Sequence, residues 1–287
     1  MLIADSQVHI WGPNTPERPW KPGRKAQRPV PLGADEVLCE MDAAGVDRVV
    51  IVPPSIEGGR NDLAIAAVRS HPDRFAIMGR LELEDPAARG RLAHWRDQPG
   101  MFGVRINFKS ELKKLPTDPD VEWFWAEAER AGVRVFASVM QADAHSVATV
   151  AKRHPDLRIA VDHLGIVNDT QKGAEAFANL DRLLAIADNG NVAVKVSSMP
   201  GYASDGYPYR SLHPYLRRVY DAFGPKRMFW GSDLSRLHGP YRECVTMFTE
   251  EMNWLTSDDL DWIMGRGLCE WLGWKVQEQA GGFRPIN

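Results

Sequence analysis

His9, Arg105, His163, Lys195 and Asp233 are residue types that move protons or hold anions, and each falls at or near the end of a short apolar or β-branched run. Gln7 and His9 close the first run and, two positions apart, share a face. Arg105 and Asn107 do the same on the fourth run, Ser138 ends the fifth and Asp162-His163 the sixth. Lys195 and Ser197 end the seventh, and Ser232-Asp233 the eighth. An imidazole beside a carboxylate suits general acid–base work, and a guanidinium suits a substrate carboxylate. Each residue also has a plain structural use. His9 could be a satisfied core histidine, Arg105 and Lys195 ion-pair partners of buried aspartates, and Asp233 the cap of a following helix. Their recurrence at one end of successive strands is what points to a site.

The elements that must position them alternate along the chain. Strands are expected at Leu2–Ile10, Arg48–Val52, Phe75–Gly79, Met101–Ile106, Val133–Ser138, Arg158–Asp162, Val192–Val196 and Arg227–Gly231. Helical periodicity is expected from Ala34, stopping at Gly45, and over Asp62–Ser70, Val121–Ala131, Ala142–Arg153, Ala174–Asp188 and Leu212–Phe223. Eight strands separated by helices suit an α/β fold, a single (β/α)8 TIM barrel over residues 1–287, whose active site sits at the C-terminal strand ends. The rival, a doubly wound open sheet, lacks a Gly-x-Gly-x-x-Gly or Walker motif to bind a nucleotide. The stretch Pro13–Pro31 reads as a long loop after the first strand rather than a domain boundary. The aromatics Trp11, Trp20, Tyr202, Tyr207, Tyr209 and Tyr241 either wall a pocket for a flat substrate or pack the loops together. The run Lys109–Lys114 reads as a solvated loop.

Composition narrows the class. The 287 residues carry 35 basic and 38 acidic side chains, a net charge of −3, which offers no footprint for nucleic acid or an anionic membrane. No apolar run reaches the roughly 18–20 residues that span a bilayer. The opening Met1–Asp5 lacks signal-peptide features, and Cys39, Cys244 and Cys269 are odd in number and far apart, so a cytoplasmic protein with reduced thiols is expected. The apolar C-terminal segment around Trp254, Met264, Trp271 and Trp274 either wraps the outer helices or forms a homo-oligomer interface.

Asp5-Ser6-Gln7-Val8-His9-Ile10-Trp11, Gly103-Val104-Arg105, Val161-Asp162-His163-Leu164-Gly165, Val194-Lys195-Val196-Ser197 and Trp230-Gly231-Ser232-Asp233 resemble the amidohydrolase superfamily over essentially the whole chain. The branch is the amidohydrolase-related one, with lactonases such as pyrone-dicarboxylate lactonase and several decarboxylases. The resemblance implies that His9 is the second histidine of a first-strand His-x-His pair, that His163 is the sixth-strand histidine, and that Asp233 takes the proton of an attacking water. It implies that Arg105 holds a substrate carboxylate. The chain departs from the pattern at Gln7, where the first histidine would stand, and on the fifth strand, which has no histidine. His9, His163 and Asp233 remain as candidate ligands for Zn2+ or another divalent metal. Three protein ligands can hold a catalytic zinc, but the loss of two imidazoles favours a metal-independent site, so no cofactor is assured.

The expected activity is hydrolysis of a lactone or related cyclic ester of a small anionic organic or sugar acid. Asp233 would be the base, and His163 and His9 would donate to the oxyanion. Arg105, Lys195 and Arg236 would favour an anionic substrate, with Gln7, Ser138 and Tyr209 also facing it. The alternative is a non-oxidative decarboxylase of an aromatic or enoic acid, which would use Asp233, His163 and Arg105.

Overall fold

The computed structural model describes residues 1–166, 170–237 and 239–275. The expected single domain runs on through 276–287, which lie outside the described residues. Eight strands form one all-parallel sheet in sequential order: β1 Ala4–Val8, β2 Arg48–Ile51, β3 Phe75–Gly79, β4 Met101–Asn107, β5 Arg134–Ser138, β6 Ile159–Val161, β7 Val192–Ser197 and β8 Met228–Gly231. Just past β8 the sheet is tied back to β1: Asp233 N–H donates to Gln7 O at 3.0 Å, and Ser232 N–H to the Asp5 carboxylate at 3.0 Å. The result is a (β/α)8 TIM barrel. Both faces of nearly every strand are buried, which explains why the strands read as continuous apolar runs.

The helices form where apolar residues recur at helical spacing. In Ala34–Ala44, Val37, Met41 and Ala44 are buried, and the helix stops at Gly45, whose φ of 76° is left-handed. In His213–Phe223, Leu216, Val219 and Phe223 bury the corresponding stripe. The expected Ala174–Asp188 helix is instead two short ones, Gly173–Ala176 and Leu180–Leu184. Asn179 sits at the second N-terminus, the helix position its side chain prefers. Between β3 and β4 the connection is made by 3-10 turns at Pro86–Ala88 and Arg91–Asp97.

Two layers fill the barrel. The lower layer is apolar: Ala4, Val50, Ala76, Met78, Phe136, Ala160, Ala193 and Phe229 pack together with Leu268, Leu272, Trp271 and Trp274. The helix Gly267–Leu272 therefore plugs the barrel's N-terminal opening. Arg134 and Arg158, at the starts of β5 and β6, donate to the Trp271 carbonyl and fix it there. Rather than wrapping the outer helices, this part of the segment packs into the barrel end. No described helix is long and apolar enough to cross a membrane.

Candidate active site

The upper layer of the barrel is ionic. Lys195, fully buried, donates to Asp162 Oδ1 at 3.0 Å and to Gln7 Oε1, and its ammonium lies 4.2 Å from the centre of the Phe136 ring. Arg105 Nε donates to the other oxygen of Asp162 at 2.9 Å, and its Nη1 lies 3.6 Å from Glu111. Glu111 is also paired with Arg80, a residue just past β3 that the sequence reading did not single out. Burial opposes the Asp162 charge, but Lys195 and then Arg105 outweigh it and hold the carboxyl well below its usual range. Lys195 and Gln7 come from β7 and β1, which are not neighbours in the sheet, so their contact crosses the barrel interior.

Above this layer, His9, His163 and Asp233 meet. His9 Nε2 lies 3.3 Å from Asp233 Oδ1, and His163 Nε2 lies 4.0 Å from Asp233 Oδ2. Ser198 Oγ–H donates to Asp233 Oδ2 at 2.9 Å. Asp233 Oδ1 is buried and has no hydrogen-bond partner among the described residues. His163 Nδ1 lies 2.8 Å from Ser197 Oγ. With the hydroxyl donating to Nδ1, the ring's proton is on Nε2, facing Asp233 and the cavity. Burial pushes His163 down to about 3, so the ring is neutral at physiological pH.

The local backbone aims these groups. Ser198 is the first residue after β7, and His163 and Asp233 are the second after β6 and β8; their φ of 64°, 52° and 55° are left-handed conformations that non-glycine residues rarely adopt. Each costs of order 1–3 kcal/mol, held in place by the surrounding structure. Around Asp233 that structure is the buried Asp5. It accepts from the Gln7 and Ser232 backbone N–H groups at 2.8 and 3.0 Å, from Tyr241 OH at 2.6 Å and from Ser232 Oγ. Gly231 leaves the room this needs, since a Cβ there would collide with the Ser6 hydroxyl.

A cavity of about 380 Å3 opens over the triad. His9, His163, Asp233, Arg105 and Arg236 line it, and so do three charged groups that the sequence reading did not place there: Arg24, Lys109 and Glu111. Arg24 arrives on the long loop after β1. Lys109 and Glu111 arrive on a π-helical turn, Phe108–Leu112, directly after β4. The expected solvated run 109–114 is thus partly cavity wall. Its signal was its position, two residues beyond the inward-facing Asn107. Lys109 Nζ donates to Ile166 O at 2.9 Å, and burial, followed by the nearby Arg105 charge, lowers it to about 8.

Four residues expected to face substrate do not line this cavity. Gln7 and Lys195 lie one layer too deep, held to each other. Ser138 is buried at the end of β5, and Tyr209 turns its hydroxyl to Glu243 at 3.2 Å. Tyr241 donates its hydroxyl to Asp5 and does not line this cavity. Arg105 reaches the cavity, but Asp162 and Glu111 already engage much of its guanidinium.

As a metal site the donor set fits poorly. No three His, Cys, Asp or Glu side chains among the described residues are grouped as a metal ion needs. His9 Nε2 faces the Gln7 amide nitrogen at 3.2 Å, and the Lys195 ammonium already lies beneath.

A family model described as amidohydrolase matches residues 4–276. The chain is 26% identical to the L-fucono-1,5-lactonase of Burkholderia ambifaria over 242 residues, 83% of this chain and 82% of that protein. It is 27% identical to the 4-sulfomuconolactone hydrolase of Hydrogenophaga intermedia over 238 residues, 80% of this chain and 73% of that one. The crystal structure of an amidohydrolase from Burkholderia multivorans with bound zinc shares the fold, with a TM-score of 0.78 over 95% of this chain and 99% of that chain at 20% identity.

Proposed function

The chain belongs to the amidohydrolase family and is a hydrolase, and from that premise we propose that it opens the ring of a small lactone bearing an anionic group, without a catalytic metal. The observation that carries this reading is Asp233 Oδ1, a buried carboxylate oxygen with no hydrogen-bond partner among the described residues and His9 Nε2 at 3.3 Å, beneath a cavity lined by Arg24, Arg105, Lys109 and Arg236. Water attacks the lactone carbonyl carbon, and its proton passes to Asp233 Oδ1. The carbonyl oxygen becomes an oxyanion facing the His163 Nε2–H. The ring C–O bond then breaks, and the proton on Asp233 goes to the departing alkoxide, giving a hydroxy acid. Ser198, through Oδ2, leaves Oδ1 as the reacting oxygen.

A carboxylate is a weak base at neutral pH. It serves where the electrophile is already activated, which favours a cyclic ester over an amide. The lactonase relatives support the same substrate class. The test is turnover of a panel of lactones, with and without a carboxylate or sulfonate, after exhaustive treatment with a chelator. Chelator-resistant opening of the anionic lactones supports the proposal; loss of activity that Zn2+ restores rejects its metal-free part.

Lys109 faces the cavity with one side-chain hydrogen bond, to the Ile166 carbonyl, and no ion pair among the described residues. Lys109→Met should raise KM for an anionic lactone about tenfold, the equivalent of one hydrogen bond to a charged group, with kcat little changed. Because Lys109 loses its charge as pH rises through about 8, KM for the wild-type enzyme should climb above that pH, and KM for Lys109→Met should not. Initial rates from pH 6 to 9.5 check both statements.

A further inference from the structure

The contacts beneath His9 form a chain with a single consistent direction. Lys195 Nζ can only donate, so the Gln7 atom facing it is the carbonyl oxygen Oε1. That settles the amide's orientation, which X–H positions alone leave open. The Gln7 NH2 group then faces His9 Nε2 at 3.2 Å. An amide nitrogen also only donates, so Nε2 must accept. The other ring nitrogen, Nδ1, lies 2.5 Å from the Val52 carbonyl oxygen, which only accepts, so Nδ1 carries the proton. Asp233 Oδ1 also lies 3.3 Å from His9 Nε2, close enough for a proton on that nitrogen to pair with it.

We propose that Lys195, acting through Gln7, is a positioning residue that holds His9 in the Nδ1–H tautomer and so keeps the Asp233 Oδ1 lone pairs free for the attacking water. A proton on Nε2 would instead point at the carboxylate and occupy the base. The ammonium is well suited to this role. It is fully buried, it has no tautomers, and Asp162 and Phe136 fix its place. His9 therefore does not donate to the oxyanion; His163 alone does. Gln7, where the family pattern has a histidine, becomes the link that carries the orientation upward. The catalytic consequence rests on Asp233 being the base of the proposed hydrolysis, whereas the tautomer does not depend on it.

The test uses the full chain labelled with 15N-histidine, the His9 signals being assigned by their loss in His9→Gln. In the wild type, His9 Nδ1 should resonate as a protonated nitrogen and Nε2 as an unprotonated one. Gln7→Glu is nearly isosteric and keeps an acceptor for Lys195, so it should fold. It turns an acceptor oxygen toward His9 Nε2, which should then become protonated. With it kcat should fall at least tenfold while KM stays within about twofold. Lys195→Met, where it folds, frees the amide, and His9 should show a mixture of tautomers. A wild-type Nε2 that carries a proton overturns the proposal, as does a Gln7→Glu enzyme with unchanged His9 signals and unchanged kcat. The expected tautomer in a protein that opens no lactone would leave the positioning intact and reject the hydrolysis reading instead.

Discussion

Asp233→Asn should lower kcat by about a thousandfold, within the range of roughly 10²–10⁴ that a positioned general base contributes, with KM within about twofold. The substitution is isosteric. The asparagine oxygen can still accept from Ser198, and the backbone N–H still reaches the Gln7 carbonyl, so the left-handed turn after β8 survives. What is lost is the one oxygen able to take a proton. Thermal unfolding should shift by only a few degrees, which separates lost chemistry from lost structure. Full turnover by this variant removes Asp233 from the mechanism. The wild-type kcat should also lack an acidic limb between about pH 5 and 8, because burial pushes His163 down to about 3. Burial opposes the Asp233 charge, but interactions with His9, then His163 and Arg236, outweigh it and hold the carboxyl well below its usual range.

Asp162→Asn carries the largest expected loss of stability. Asp162 lies between two buried cations, Lys195 at 3.0 Å and Arg105 at 2.9 Å. The amide leaves both charges in the barrel with Glu111, 3.6 Å from Arg105, as the nearer remaining anion. Removing one partner of a buried pair costs about 3–5 kcal/mol, roughly 10 °C in midpoint for a chain of this size. The pH dependence has a definite sign. The folded-state pKa of Asp162 is depressed, so its contribution is fully present above the unfolded value near 3.9 and is lost as pH falls toward the folded one. The stability difference between wild type and Asp162→Asn should therefore be constant near neutrality and shrink below about pH 4. Denaturant midpoints at several pH values measure it, and a difference that grows on acidification contradicts this account.

Much of the barrel was legible in the chain because each strand is a short apolar run, and the polar residues that break the pattern cluster at the strand ends. Period-two spacing put Gln7 with His9 and Arg105 with Asn107 on common faces. Depth was not legible. Gln7 and His9 are two residues apart, yet His9 lines the cavity and Gln7 lies beneath it, sealed against Lys195. Two residues along a strand is a step of roughly 6.6 Å, one layer of the barrel, and no periodicity says which layer meets the cavity. The cavity wall contributed by Lys109 and Glu111 was hidden for a related reason. A six-residue charged run looks solvated unless one knows that a π-helical turn folds it back over the strand ends. The left-handed residues His163, Ser198 and Asp233 are likewise imposed by tertiary packing: His and Asp enter that backbone more often than most non-glycine residues, but still too rarely for their types alone to announce it.

The most direct measurement follows oxygen. Turnover of a carboxylate-bearing lactone in water enriched in 18O should place one labelled oxygen in the new carboxylate of the ring-opened hydroxy acid and none in its new hydroxyl, with no carbon dioxide released and no dependence on added metal. Label in the hydroxyl would mean that water attacks the alkyl carbon rather than the carbonyl, and carbon dioxide in place of a hydroxy acid would mean that the chain is a decarboxylase.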